Sequence, residues 1–289
     1  MRCRSFCSWA VLLAVGVGFF PAGREGMAGE LPEATVLNAQ YEIAVKECRT
    51  QLAEGKIDLC LTALRTVEGQ VDASDAQDYS RLKQQIGYSI AIAEAYKEAA
   101  SRKEERPDLY YRILFKAYAK VPESYFPYDE VLPLWNLYLR EDTGRQKFQR
   151  YRDLRLIIRA DNAHKDLEEA VFRAVQQRLL DYGFALEDPS SSVSTRPDVL
   201  VKAKVKGYIA QDIVDPRLQG KQVFRMILDI KTLKFIAGGH NRGPIYEEIE
   251  RGAHLMEAAR EDAVHATGDR IADLIFYHSL REMFHPMPG

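Results

Sequence analysis

Residues 197–208 read PDVLVKAKVKGY. From Val199 onward the apolar residues fall on alternate positions, at Val199, Val201, Ala203, Val205 and again Ile209. Lys202, Lys204, Lys206 and Tyr208 take the places between them. A period of two over this length is the pattern of a strand with one face in a core and the other in water. The stretch therefore puts a half-buried sheet in the C-terminal half of the chain and marks its wet face as basic.

Working outward, Leu154–Ala160 alternates in the same way, with Leu154, Leu156, Ile158 and Ala160 on one side and Arg155, Ile157 and Arg159 on the other. Asp161-Asn162 are suited to cap a following helix. Its apolar stripe runs through Leu167, Val171, Ala174, Val175, Leu179 and Tyr182, and Gly183 ends it. Phe184–Glu187 predicts a short strand. Beyond the basic strand, Gln222–Ile230 predicts another, with Phe224, Met226, Leu228 and Ile230 inward. A turn is expected at Lys231–Lys234, then a strand through Phe235-Ile236-Ala237, ended by Gly238-Gly239. A long helix at about 255–284 closes the chain, its stripe running through Ala259, Ala263, Ala266, Ile271, Leu274, Ile275 and His278. Residues 153–289 thus give the order β-α-β-β-β-β-α. Strands in succession with a helix on either side predict an α+β two-layer sandwich with one sheet face covered by the two helices and the other free.

Residues 31–150 carry the helical period instead. Leu37, Tyr41, Ala44, Val45, Cys48 and Leu52 make one stripe, and Ile57, Cys60, Leu61, Leu64 and Val67 a second, with Glu54-Gly55-Lys56 as the turn between them. Another helix is expected over about 75–102, one over 108–121 ended by Pro122, and one near 129–140. The polar run Glu141–Arg150 reads as a connector. The hairpin at 38–70 resembles a tetratricopeptide-type repeat. Cys48 and Cys60 stand in for the small residues that let paired helices approach, and Gly55-Lys56-Ile57 supplies the turn. The N-terminal part is therefore expected to be an all-helical, repeat-like domain.

The C-terminal half also carries a resemblance. The first strand RLIIRAD (155–161), the helix ending LLDYGF (179–184) and the strand PDVLVKAKVKGY match it in order. So do LDIKTLKFIAGG (228–239) and the Ala-rich helix EAAREDAVHATGDRIADLI (257–275). Together they resemble a superfamily of envelope proteins. It includes curli-secretion-type lipoproteins, activator lipoproteins of penicillin-binding proteins, the N-terminal domain of the Tol-system propeller protein and related flagellar assembly domains. The resemblance implies a periplasmic adaptor or assembly component without enzymatic activity. Unlike many of those proteins, this chain has no cysteine placed to accept a lipid anchor.

At the N-terminus, Arg2 and Arg4 precede an apolar run from Trp9 to Phe20, Pro21 breaks it, and Gly26 and Ala28 offer a small-x-small cleavage site. That is the layout of a secretory signal peptide over residues 1–28. The run is shorter than the roughly 20 apolar residues of a comfortable membrane span; an uncleaved anchor is the alternative. The mature chain keeps Cys48 and Cys60, and an even pair in an exported protein predicts a disulfide. The net charge of −2 gives no nucleic-acid signature.

No phosphate-binding loop, dinucleotide fingerprint, nucleophile elbow or metalloprotease motif is present. His240 and Arg242 in the loop GGHNRG (238–243) follow a strand end, but no partner base or nucleophile accompanies them, and a glycine turn with a solvated histidine accounts for the stretch. His254, His265 and His278 are not at the i, i+3 or i, i+4 spacing of a helical metal site. The basic face is more informative: Lys202, Lys204 and Lys206, joined by Arg155, Arg159 and Arg225, form a candidate docking surface, against the plainer account of a solvated face whose lysines discourage edge aggregation. The expected function is an exported, periplasmic or secreted adaptor or envelope assembly factor. It acts by protein–protein binding, with no catalytic residue, cofactor, metal or nucleic acid and no transmembrane span after cleavage. Its partner would be an envelope protein or an anionic envelope component, and self-association is compatible with this. The alternative is a small-ligand sensor or enzyme built on Gly238–Gly243.

Overall fold

The computed structural model describes residues 33–73, 79–161, 164–187, 197–235, 241–242 and 244–284. The segment expected to be a signal peptide (1–28) and His240 lie outside the described residues.

Helices α1 (Glu33–Ala53) and α2 (Ile57–Ala73) form the expected hairpin. Gly55 makes its turn at φ +74°, a left-handed conformation that costs glycine little. Cys48 and Cys60 face each other across the hairpin with their Cα atoms 4.3 Å apart and their sulfurs at bonding distance. Helix α3 (Ser80–Ala100) packs on α2, and its Leu82, Ile86 and Ile90 join Leu37, Tyr41, Leu61 and Leu64 in a small core.

Then follow α4 (Pro107–Tyr118), a single 3-10 turn at Glu123–Tyr125, α5 (Tyr128–Tyr138) and α6 (Asp142–Phe148). The run expected as a polar connector is thus partly helical. Gly144 permits this, since a Cβ there would lie 2.0 Å from the carbonyl oxygen of Tyr138. Phe148 of α6 packs its ring edge against Trp135 and Phe184.

The sheet contains β1 (Asp153–Ala160), β2 (Ala185–Leu186), β3 (Val199–Ile209), β4 (Gln222–Phe235), β5 (Asn241–Arg242) and β6 (Ile245–Ala253). Helix α7 (Lys165–Asp181) lies between β1 and β2 in the chain, and α8 (Met256–Phe284) comes last. The strand order is β2-β1-β3-β4, with β5 and β6 both on the outer edge of β4. β1 runs parallel to β2 and β3; the remaining pairs are antiparallel. Helices α7 and α8 cover one face, over Leu154, Val201, Val205, Met226 and Leu228, as an α+β sandwich requires.

Three expectations are corrected. Lys231–Lys234 is not a turn: β4 runs through it. The register against β3 slips so that Lys202 faces Thr232 while Ala203 faces Ile230, leaving Lys231 as the extra residue of a bulge. Inward positions move from Met226, Leu228 and Ile230 to Leu233 and Phe235, and this break in alternation imitates a turn. The strand that completes the sheet is β6, whose sequence IYEEIERGA spaces its isoleucines four apart and so carries little strand period. Finally, Asp161 does not cap α7 with its side chain. His164 occupies the N-cap position without a side-chain cap bond, and the Asp161 carboxylate turns to the sheet lysines. Two smaller differences accompany these. Ile209 is exposed rather than inward, and His254 lies in the bend before α8.

The boundary expected near residue 150 does not divide the core. One continuous apolar cluster runs from Ala95 to Phe284. Helices α4 to α6 form a third layer against the C-terminal half of α8. Phe126 packs on Tyr277, Trp135 on Phe276 and Phe115 on Phe284, with ring centroids 5.1, 5.4 and 5.3 Å apart. The Trp135 indole N–H donates to the Tyr182 carbonyl at 2.9 Å, and the Tyr277 hydroxyl donates to the Val121 carbonyl at 3.1 Å. The core divides within α3, between Ala93 and Ala95.

Candidate functional site

The face of the sheet opposite α7 and α8 brings the sequence-predicted cations together. Parallel pairing sets Arg155 beside Leu200, Ile157 beside Lys202, and Arg159 beside Lys204; antiparallel pairing sets Lys204 beside Asp229, Lys206 beside Ile227, and Tyr208 beside Arg225. Arg155, Arg159, Lys202, Lys204 and Lys206 are all exposed, around the half-buried Ile157 and Ile227.

They are not equally available. The Asp161 carboxylate, at the end of β1, lies 3.0 Å from the Lys204 amine and 2.9 Å from that of Lys206. Hydrogen bonds from Lys206 and then Lys204 hold the Asp161 carboxyl below the usual range, so the counter-ion stays charged. Its hydrogen bond in turn raises Lys206. Arg159 lies 3.7 Å from Glu168, whose other oxygen accepts the Ala160 backbone N–H at 2.8 Å. Arg155 and Lys202 have no ion-pair partner among the described residues.

Arg225 is on the same face but is 5% exposed. Its guanidinium contacts Glu250, the Tyr208 hydroxyl at 3.3 Å, and both the carboxylate and the carbonyl of Asp212. Hydrogen bonds to Tyr208 and Glu250 raise its pKa further. It is a structural hub that ties β4 to β6 and to the loop after β3. Glu250 extends that role by accepting the backbone N–H of Val214 and Asp215. Arg225 is therefore removed from the set of docking cations.

Sequence reasoning missed the acidic half of the face. β6 places Tyr246, Glu248 and Glu250 beside Asp229, Ile227 and Arg225 of β4. Tyr246 is 62% exposed and donates from its hydroxyl to Glu248 at 3.1 Å, a bond that raises its pKa. The face is consequently polarised: basic over β1 and β3, with the exposed Glu248 beside Tyr246 on β6 at the far side of β4. Only strand assignment of Ile245–Ala253 could have revealed this, by the alternation of Tyr246, Glu248 and Glu250 with Ile245, Glu247 and Ile249.

Glu247, on the covered side, reaches Arg270 of α8, whose guanidinium also contacts Glu123 from the helical layer. Burial alone would raise Glu123, but the hydrogen bond and charge of Arg270 outweigh it and hold the carboxyl low. This junction locks three layers and faces away from the candidate surface. Among the described residues, no three His, Cys, Asp or Glu side chains are grouped to hold a metal ion, and no helix is long and apolar enough to cross a membrane. No protein-family model matches the chain, and no curated protein matches it significantly.

Proposed function

We propose that the protein is an exported adaptor or assembly factor of the cell envelope that acts by binding another protein through its open sheet face. The observation that carries this reading is the polarised face itself. A row of exposed cations on β1 and β3 stands across β4 from Tyr246 and Glu248 on β6, with the half-buried Ile227 between them. Paired patches of opposite sign fix the orientation of a partner and speed its encounter more than they add affinity. Supporting the exported setting are the tripartite N-terminus, the cysteine pair at bonding distance and the resemblance to envelope adaptors. The partner is an envelope protein with an acidic patch to sit over β1 and β3 and a basic one over β6.

The test uses two variants of the full chain against a partner cross-linked and recovered from envelope extract. The triple variant Lys202→Glu, Lys204→Glu, Lys206→Glu should keep its fold, because exposed substitutions usually change stability by no more than about 0.5 kcal/mol. It should bind more weakly and with less salt dependence. Asp161→Asn releases Lys204 and Lys206 from their counter-ion and should bind more tightly. Unchanged affinity in both variants, with intact circular dichroism, would reduce the face to a solvated surface.

A further inference from the structure

Away from the sheet, α3, α4 and the C-terminal end of α8 line an open groove of about 650 Å³. Its floor is apolar, made by Ala95, Ile113 and Ala117 with Met283 and Phe284 at the end of α8. One wall is cationic. Arg112 and Lys116 on α4 and Lys120 just beyond it follow one another at intervals of four residues, so they stand in one row along the helix. Lys147 of α6 closes the row, its amine 4.0 Å from the centre of the Phe284 ring. None of these four cations has an ion-pair partner among the described residues. The end of α4 favours Lys116 and Lys120 through its dipole, but that does not account for Arg112. Arg112 stands near enough to Lys147 for their like charges to repel. Burial first, and then that repulsion, lowers the Lys147 amine. Arg112, Lys116 and Lys120 are exposed and Lys147 half-buried, so the row presents its charge to the groove, where an anionic partner can meet it. The opposite wall is acidic at Glu98 and Glu94 of α3, although Glu94 is also ion-paired with Arg65 at 2.9 Å.

We infer that this groove is a second docking site, and that it takes an acidic peptide segment of a partner protein. Such a segment would lay one bulky apolar side chain on Met283 and Phe284 and turn its carboxylates toward Arg112, Lys116 and Lys147. The two walls exclude the other anion of comparable reach. A nucleic-acid or polyphosphate strand carries charge along its whole length and would meet Glu98 on the far wall, whereas a peptide can be acidic on one side only. The apolar floor likewise has no use for a phosphate chain. The site is independent of the sheet face.

The experiment is a screen of the full chain against arrayed random short peptides, followed by affinity measurement for those selected. Selected peptides should share an aromatic or large aliphatic residue flanked by Asp or Glu. Arg112→Glu with Lys116→Glu should weaken them about tenfold or more, and Phe284→Ala should weaken them too. Lys202→Glu, Lys204→Glu, Lys206→Glu should leave them unaffected, which separates failure of this site from failure of the sheet face. Thermal unfolding of each variant establishes that the fold persists. Three results would overturn the inference: no peptide is selected, selected peptides lack acidic residues, or the Arg112/Lys116 variant binds them unchanged. Tighter binding of single-stranded oligonucleotide than of any peptide, or a dimer of the chain that the same variant abolishes, would equally overturn it by assigning the groove another occupant.

Discussion

Asp215 shows how a single half-buried carboxylate can organise a loop. It accepts hydrogen bonds from the Arg217 side chain and from the Arg217 backbone N–H at 2.9 Å, and these, in that order, lower its pKa to about 2. A carboxyl depressed in the folded state stabilises the fold above its ordinary range near pH 4. That contribution is lost as pH falls through the ordinary range toward 2. Carbon-detected NMR titration should therefore place the Asp215 midpoint near 2, and Arg217→Ala should return it toward the ordinary range. A midpoint that does not move in the variant would contradict the assignment. Cys48 and Cys60 make the other residue-scale case. With 12 residues of separation, a closed bridge should stabilise the α1–α2 hairpin by about 2–3 kcal/mol in the chain-entropy model. Mass spectrometry of exported protein should find no free thiol, and denaturation of Cys48→Ser, Cys60→Ser should show that loss.

Between elements, α7 and α8 approach each other closely at Gly268. A Cβ there would lie 2.4 Å from the Cβ of Ala174 and 2.9 Å from the backbone nitrogen of Val175. Backbone cannot yield as a flexible side chain can. Gly268→Ala gains about 1 kcal/mol of helix propensity but forces the helices apart, and overpacking of this kind typically costs about 1–3 kcal/mol. Destabilisation is the expected net result. Gly87 provides the contrast: it lies on an exposed position of α3 with nothing within 4 Å of a would-be Cβ. Gly87→Ala should stabilise by about 0.4–1 kcal/mol. Urea denaturation of the two variants should thus shift in opposite directions, and a stabilised Gly268→Ala would mean the helices have room that their packing does not suggest.

At the scale of the molecule, the question is whether the sheet half can stand alone. Helix α8 buries Ile271, Leu274 and Ile275 as well as Phe276, Tyr277, Leu280 and Phe284, so its C-terminal half sends apolar side chains out on every side. A helix of that kind needs cover on every side. The sheet and α7 cover part of it, and α4 to α6 the rest. Residues 153–284 expressed alone should therefore bind hydrophobic dye and unfold without a cooperative transition, while residues 107–284 recover one. A cooperative, dye-free 153–284 fragment would return the domain boundary to residue 150.

Much of this architecture was legible in the chain. Alternation placed β1, β3 and the first part of β4, the 3.6-residue period placed α1 to α4 and α7, and the basic row of β3 followed from alternation alone. These are local properties, set by which side chains must leave water within a few residues of one another. What only the tertiary structure decided depends on neighbours distant in sequence. The bulge at Lys231 exists because β3 holds β4 in register on both sides of it. β6 is a strand because the edge of β4 offers it hydrogen bonds, although its own apolar spacing does not demand one. Arg225 passed from docking cation to buried hub, and Asp161 from helix cap to counter-ion, because Coulombic partners are chosen by distance in space. The division of the core within α3 follows likewise from the rings that α8 presents on the side away from the sheet, and no local period records which helix will cover them.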